Sequence, residues 1–184
     1  MRKDRTLLWR RDDAIGFEWC LVCLEDDRLS AHGVQVGADP EPYRLDYRVD
    51  THPGFVTRSV HARAEGSGWS RRLDLHRDDD GGWRTADRAI DDLRGAFDVD
   101  IGFSPFTNTL PVLRLGLIDG PSTGADLVAA WIRVPDLTVE PMQQRYEHRD
   151  RGVRFSAGTF AAELPLDDEG FVRHYPDLAT LVVS

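Results

Sequence analysis

The segment 43–50, YRLDYRVD, alternates: Tyr43, Leu45, Tyr47 and Val49 interleave with Arg44, Asp46, Arg48 and Asp50. A period of two puts the apolar side chains on one face of a strand and the charged ones on the other. That is the pattern of an antiparallel sheet with one dry and one wet face. Segments 15–24, 31–37, 42–50, 55–65 and 68–76 have strand composition, and the runs between segments (GADPEP, DTHPG, AEGSG, RDDDGG) carry turn residues. The first half therefore predicts a β-meander. WRTADRAIDDLRGA then predicts a short strand and a short helix ending near Gly95. In the last third, Val128, Ala130, Ile132 and Val134 share one face of a strand that Pro135 ends, and a second strand follows. VRFSAGTFAAELPLDDEGFVRHYP predicts a strand, a turn at Asp168, Glu169 and Gly170, and another strand.

One stretch breaks the alternation. In residues 98–117, DVDIGFSPFTNTLPVLRLGL, Asp98 and Asp100 lie two apart on a predicted strand, so both carboxylates face one side. Thr107, Asn108 and Thr109 offer oxygens to cap a helix N-terminus. Pro111 falls in the first turn, where its missing N–H costs little, and Leu110, Leu113 and Leu117 would share a helix face. The stretch predicts a strand, a proline-bounded corner and a capped apolar helix.

At 184 residues and 41% hydrophobic, the chain is long enough for one domain with a real core. The expectation is a single unit over 1–184, with two β-rich halves at about 1–97 and 98–184. A formal net charge of −9 argues against a nucleic-acid or anionic-membrane partner. Residues 1–13 are charged throughout and no apolar run reaches membrane-spanning length, so the expectation is a cytoplasmic protein without membrane insertion. Cys20 and Cys23, spaced C-L-V-C, suit a redox pair or half a zinc site. On a strand that spacing puts them on opposite faces, and reduced, unpaired thiols are expected. The six histidines are scattered, and no phosphate loop, dinucleotide fingerprint or G-x-S-x-G elbow is present. No catalytic residue, metal or cofactor is assigned.

The blocks DVDIGFSPFTNTLPVLRLGL, VPDLTVEPMQQRY and GTFAAELPLDDEGFVRHYPDL, with Trp9, Glu18 in GFEW and the GGW at Gly81–Trp83, resemble the bacterial family called Putative glycolipid-binding, formerly a domain of unknown function. The first block is similar to that family's D-V-D-L, T-P-F-T-N-T-L-P and R-R-L pattern. Ser104 stands where the family often has threonine, and Ile101 where it often has leucine. The resemblance implies a mainly β fold: a spiral roll or curved antiparallel sheet, half-barrel-like, with one or two short helices. It also implies likeness to half-barrel carriers of lipoproteins and lipoglycans.

Three readings of function follow. In the first, a non-catalytic module binds a glycolipid or other amphiphile. Its candidate contacts are Asp98, Asp100, Thr107, Asn108 and Thr109 for the head, Phe103, Phe106 and Leu110 for the tail, and Arg145 and Tyr146 at the mouth. In the second, an enzyme acts on a lipid-like or glycosidic substrate through Asp98 and Asp100, or one of them with Glu18. In the third, a sheet edge or apolar patch forms a homodimer. Each candidate residue also has a structural reading. The aspartates would accept backbone N–H bonds of the corner or pair with Arg94 or Arg114, and the aromatic and leucine side chains would be core.

Overall fold

The computed structural model describes residues 2–118, 120 and 124–183. The strands of the large sheet are β1 (Lys3–Arg11), β2 (Gly16–Leu24), β3 (Leu29–Gly37), β4 (Tyr43–Thr51), β5 (Thr57–Gly66), β6 (Trp69–Arg77) and β7 (Trp83–Arg84). Those of the small sheet are β8 (Asp98–Ile101), β9 (Ala125–Ile132), β10 (Val139–Arg149), β11 (Gly152–Ala157) and β12 (Phe160–Pro165). The chain then returns to the large sheet with β13 (His174–Tyr175) and β14 (Ala179–Val183). The large sheet runs β13-β14-β1-β2-β3-β4-β5-β6-β7 and the small one β12-β11-β10-β9-β8. The protein is mainly β, with curved sheets that do not close into a barrel, and one short α-helix, α1 (Thr109–Arg114).

The alternation holds where it was legible. In β4 every second residue from Tyr43 to Thr51 is buried, and β2 does the same from Gly16 to Val22. The buried side chains of β1 to β6 form one core with Val99, Ile101, Ala130, Ile132, Phe106 and Leu110. Burying each large aliphatic side chain contributes roughly 1.5–3 kcal/mol, so this shared core is what joins the small sheet to the large one. Val128, Ala130 and Ile132 face it as expected. The other face of β9 is buried too. Leu127 and Ala129 meet Tyr146, Val153, Phe155 and Leu164 in a second core, covered by Val112, Leu117 and Val172. A strand dry on both faces does not alternate in polarity.

Four sequence expectations are corrected. Lys3–Arg11, read as charged throughout and given no strand, is strand β1, with Leu7 and Trp9 fully buried. The segment 152–175 holds two paired strands, β11 and β12, before the acidic turn, because Gly158 makes a hairpin between them. The helix ends at Arg114, so Leu117 lies beyond it and belongs to the second core, whereas Leu110 belongs to the first. No side chain caps the helix. A four-residue 3-10 turn, Pro105–Asn108, leads directly into it and takes the place of a cap. Cys20 is buried on the inner face of β2, Cys23 is half-buried on the other, and both are free. No described helix is long and apolar enough to cross a membrane.

Candidate ligand-binding site

β8 carries the site and is held from three directions. The Thr57 N–H at the start of β5 donates to the Phe97 carbonyl (2.9 Å), and the Thr57 hydroxyl accepts from Val99 N–H (3.2 Å). On its other side β8 pairs with β9 in parallel, and the Gly102 N–H continues that ladder to Ile132 O at 2.9 Å. The Thr107 hydroxyl accepts from Ile101 N–H at 3.3 Å. Threonine hydroxyls therefore take the corner N–H groups that the sequence reading offered to the aspartates.

The carboxylates share a face and differ in surroundings. Asp98 is 1% exposed and receives both Nε and Nη2 of Arg114, at 2.6 to 3.1 Å. Burial raises its pKa and Arg114 opposes that rise. Among the described residues, Asp100 meets no cation. Its Oδ2 accepts from Gln144 Nε2 at 2.6 Å and its Oδ1 from Thr107 at 3.3 Å. Burial pushes its carboxyl up to about 6 against those two bonds. The two aspartates do not raise each other.

Asp100 opens onto a cavity of about 480 Å³. The turn after β8 (Gly102, Phe103, Ser104), Asn108 and Arg133, which is paired with Glu140, form its polar side. Trp131 and Val134, Met142, Phe155, Phe160, Tyr175 and Leu178 form the apolar wall. Phe155, Phe160 and Tyr175 make a triangle of rings with centroids 6.0 to 6.2 Å apart. Two larger surface depressions, of about 830 and 650 Å³, are ringed by charged side chains of both signs, and at the first Lys3 pairs with Glu169 and Arg5 with Asp167. Of these three, the smaller cavity is the one that combines an aromatic wall with a carboxyl lacking an ion pair among the described residues.

Behind the Gly102–Ser104 turn lies a buried polar cluster. Glu18 Oε1 accepts from the Tyr47 hydroxyl (2.6 Å), the Ser104 hydroxyl (2.6 Å) and Gln35 Nε2 (3.4 Å). Gln35 Nε2 also donates to Gly102 O at 3.2 Å. Burial pushes the Glu18 carboxyl up to about 7. The cluster ties the inner face of the large sheet to the turn that lines the cavity.

Residues 6–180 match the family model described as Putative glycolipid-binding. The chain belongs to this family. A crystal structure of a DUF1089 family protein from Pseudomonas aeruginosa is similar, with a TM-score of 0.76 and 32% identity over 89% of this chain and 91% of that one. No curated protein matches.

In this member of the glycolipid-binding family, Asp100, Phe103 and Asn108 line the cavity. Tyr146 lies beneath it, its hydroxyl donating to Asn108 Oδ1 at 2.8 Å. Thr107 does not line it and donates its hydroxyl to Asp100 Oδ1. Asp98 is committed to Arg114, Phe106 and Leu110 are in the first core, and Thr109 is fully buried. Arg145 is solvated and paired with Asp126 and Glu147. Sequence reasoning left out Ser104, Trp131, Met142, Phe155, Phe160, Tyr175 and Leu178, which only the pairing of distant strands brings together. Glu18 and Gln35 had a legible signal. Each is a polar residue at the inward parity of an alternating strand, and a buried polar position is the informative exception to the pattern.

Proposed function

We propose that this protein binds a single amphiphile in the cavity between the small sheet and the turn after β8, as a non-catalytic module. The alkyl portion would lie against Trp131, Met142 and the Phe155–Phe160–Tyr175 triangle. The head would meet Asp100, Ser104 and Asn108. The observation that carries this reading is the cavity itself. Its volume of about 480 Å³ falls within the range of small-molecule sites, and its lining is largely apolar with a few convergent polar groups. The family description favours the same ligand class. The commitment of Asp98 to Arg114 favours binding over a paired-carboxylate reaction, because it leaves Asp100 as the one member of that pair at the cavity.

Native mass spectrometry of protein purified without detergent is expected to show one alkyl-chain amphiphile retained or taken up per chain. Met142→Trp places an indole in the cavity from β10 and is expected to lower uptake about ten-fold with little change in the melting curve. Equal uptake by the variant and the wild type would sink the reading.

A further inference from the structure

The cavity holds a carboxyl and no partner for its charge. Asp100 Oδ1 and Oδ2 each accept one hydrogen bond, from Thr107 and from Gln144, and both donors are neutral. An ionised carboxylate has about four lone-pair sites, so Asp100 keeps acceptor capacity, and it lines the cavity. Taking a carboxylate out of water without a cation is unfavourable. Asp98, on the same face of β8, has the remedy in Arg114. Among the described lining residues the one cation is Arg133, and its guanidinium pairs with Glu140 at 3.5 Å.

The wall around that carboxyl is aromatic. Phe155, Phe160 and Tyr175 form the ring triangle, and Trp131 adds an indole. Ring faces carry partial negative charge and attract cations, alkylated ammonium groups among them. Trp131 already takes a cation in this way, because the Arg133 guanidinium rests 4.9 Å from its ring centre. Tyr175 links the ring wall to the carboxyl. Its ring belongs to the triangle, and burial, then the charge of Asp100, push its phenol up.

We infer that the head group taken by this cavity is an organic ammonium, with Asp100 as its counter-ion and the ring wall against its alkyl groups. This rests on the amphiphile reading of the cavity and adds the charge and chemical class of the head. A neutral head would leave the Asp100 charge unmet, and an anionic head would face it. An ammonium supplies the cation that the chain does not. The other groups around Asp100 do not replace it. Tyr146 on β10 and Tyr175 on β13 have phenols pushed up by burial and stay neutral at neutral pH. Asp98 is held by Arg114, and Arg133 by Glu140. Proton uptake by Asp100 removes the counter-ion and weakens the hold on the head.

Octyltrimethylammonium and 1-octanol share a tail and differ in the charge of the head. Each is titrated by calorimetry at fixed salt, below its aggregation or solubility limit. At about pH 8 the wild type is expected to prefer the ammonium about ten-fold or more, and the ratio of the two affinities to fall at about pH 5. Asp100→Asn is expected to bring that ratio close to one at both pH values. The variant changes a net charge of −9 by a single unit, so its loss of preference reports the cavity carboxyl and not the field of the whole protein. Phe160→Leu, which keeps the wall apolar with one ring fewer, is expected to narrow the ratio, and it repeats the test if Asp100→Asn melts early. Tetramethylammonium, a head without a tail, is expected to bind at least about ten-fold more weakly than octyltrimethylammonium; equal binding would uphold the ammonium site and sink the amphiphile reading. Octanol binding with no preference for the ammonium overturns the counter-ion and leaves the cavity reading intact. So does a ratio that Asp100→Asn, or Phe160→Leu in its place, leaves unmoved. Binding of neither octyl ligand overturns the cavity reading and the inference with it.

Discussion

Glu18 and Asp100 are carboxyls enclosed by hydroxyls and amides, with no ion pair to either. Burial disfavours the charged form of such a group. An aspartate raised from its ordinary value, near 3.9, to about 6 makes the folded state bind the proton more tightly than the unfolded chain. Its contribution is then fully present below the unfolded value and is lost as pH rises through the folded one. Across that window Asp100 removes on the order of 2 kcal/mol. Asp100→Asn, neutral at every pH, should therefore melt later than the wild type at pH 8, and the gap should close only below the unfolded value, by about pH 3. The sequence alone suggested the reverse, a loss of stability on removing a charged acceptor, because it could not show that no cation faces this residue. Melting curves of both proteins at the two pH values decide it, and a variant less stable at pH 8 would refute the argument. Asp98, one strand position away from the cavity, differs because Arg114 reaches it.

At the level of strands, aromatic residues lie over glycines on the neighbouring strand. Tyr47 faces Gly33, Tyr43 faces Gly37, and Trp69 faces Gly66. A Cβ on Gly33 would overlap the Tyr47 ring. Glycine weakens a strand interior because it brings no side chain to pack, and the ring covering it makes good that loss. The pair also sets the functional cluster, since the ring lying flat on Gly33 carries the hydroxyl that reaches Glu18. Gly33→Ala should displace Tyr47, break that bond and destabilise the protein by about 1–3 kcal/mol, the usual range for overpacking. Urea unfolding measures the loss. An unchanged midpoint would mean that the ring has somewhere else to go.

Across the whole molecule, the last strands close what the first ones begin. β14 pairs with β1, and Trp9 on β1 donates its indole N–H to Val172 O at 2.7 Å. Leu178, just before β14, is part of the cavity wall. Removing residues 177–184 would strip the partner from β1, expose an edge strand and open the cavity on one side. Unpaired edges template association. The truncated chain is expected to melt lower by on the order of 10 °C and to elute from size exclusion as larger species. A truncated chain that melts with the wild type and remains the same size would show that β14 adds nothing to the large sheet.

By itself the sequence determined the strands whose two faces differ. The predicted segment 42–50 is β4 (Tyr43–Thr51) and 15–24 is β2 (Gly16–Leu24), because a period of two with one dry face is written locally. It also singled out 98–117 as the stretch that joins strand to helix. It was silent where burial depends on a distant partner. β1 reads as a charged stretch until β2 and β14 cover Leu7 and Trp9. β9 does not alternate because both of its faces are covered. Only the tertiary structure decided which carboxyl of the Asp98–Asp100 pair meets an arginine and which meets a cavity. The two are alike in type and parity along the strand. Their difference lies in what Arg114 on the helix and Gln144 on β10 bring to them, and the cost of burying a charge depends on such surroundings.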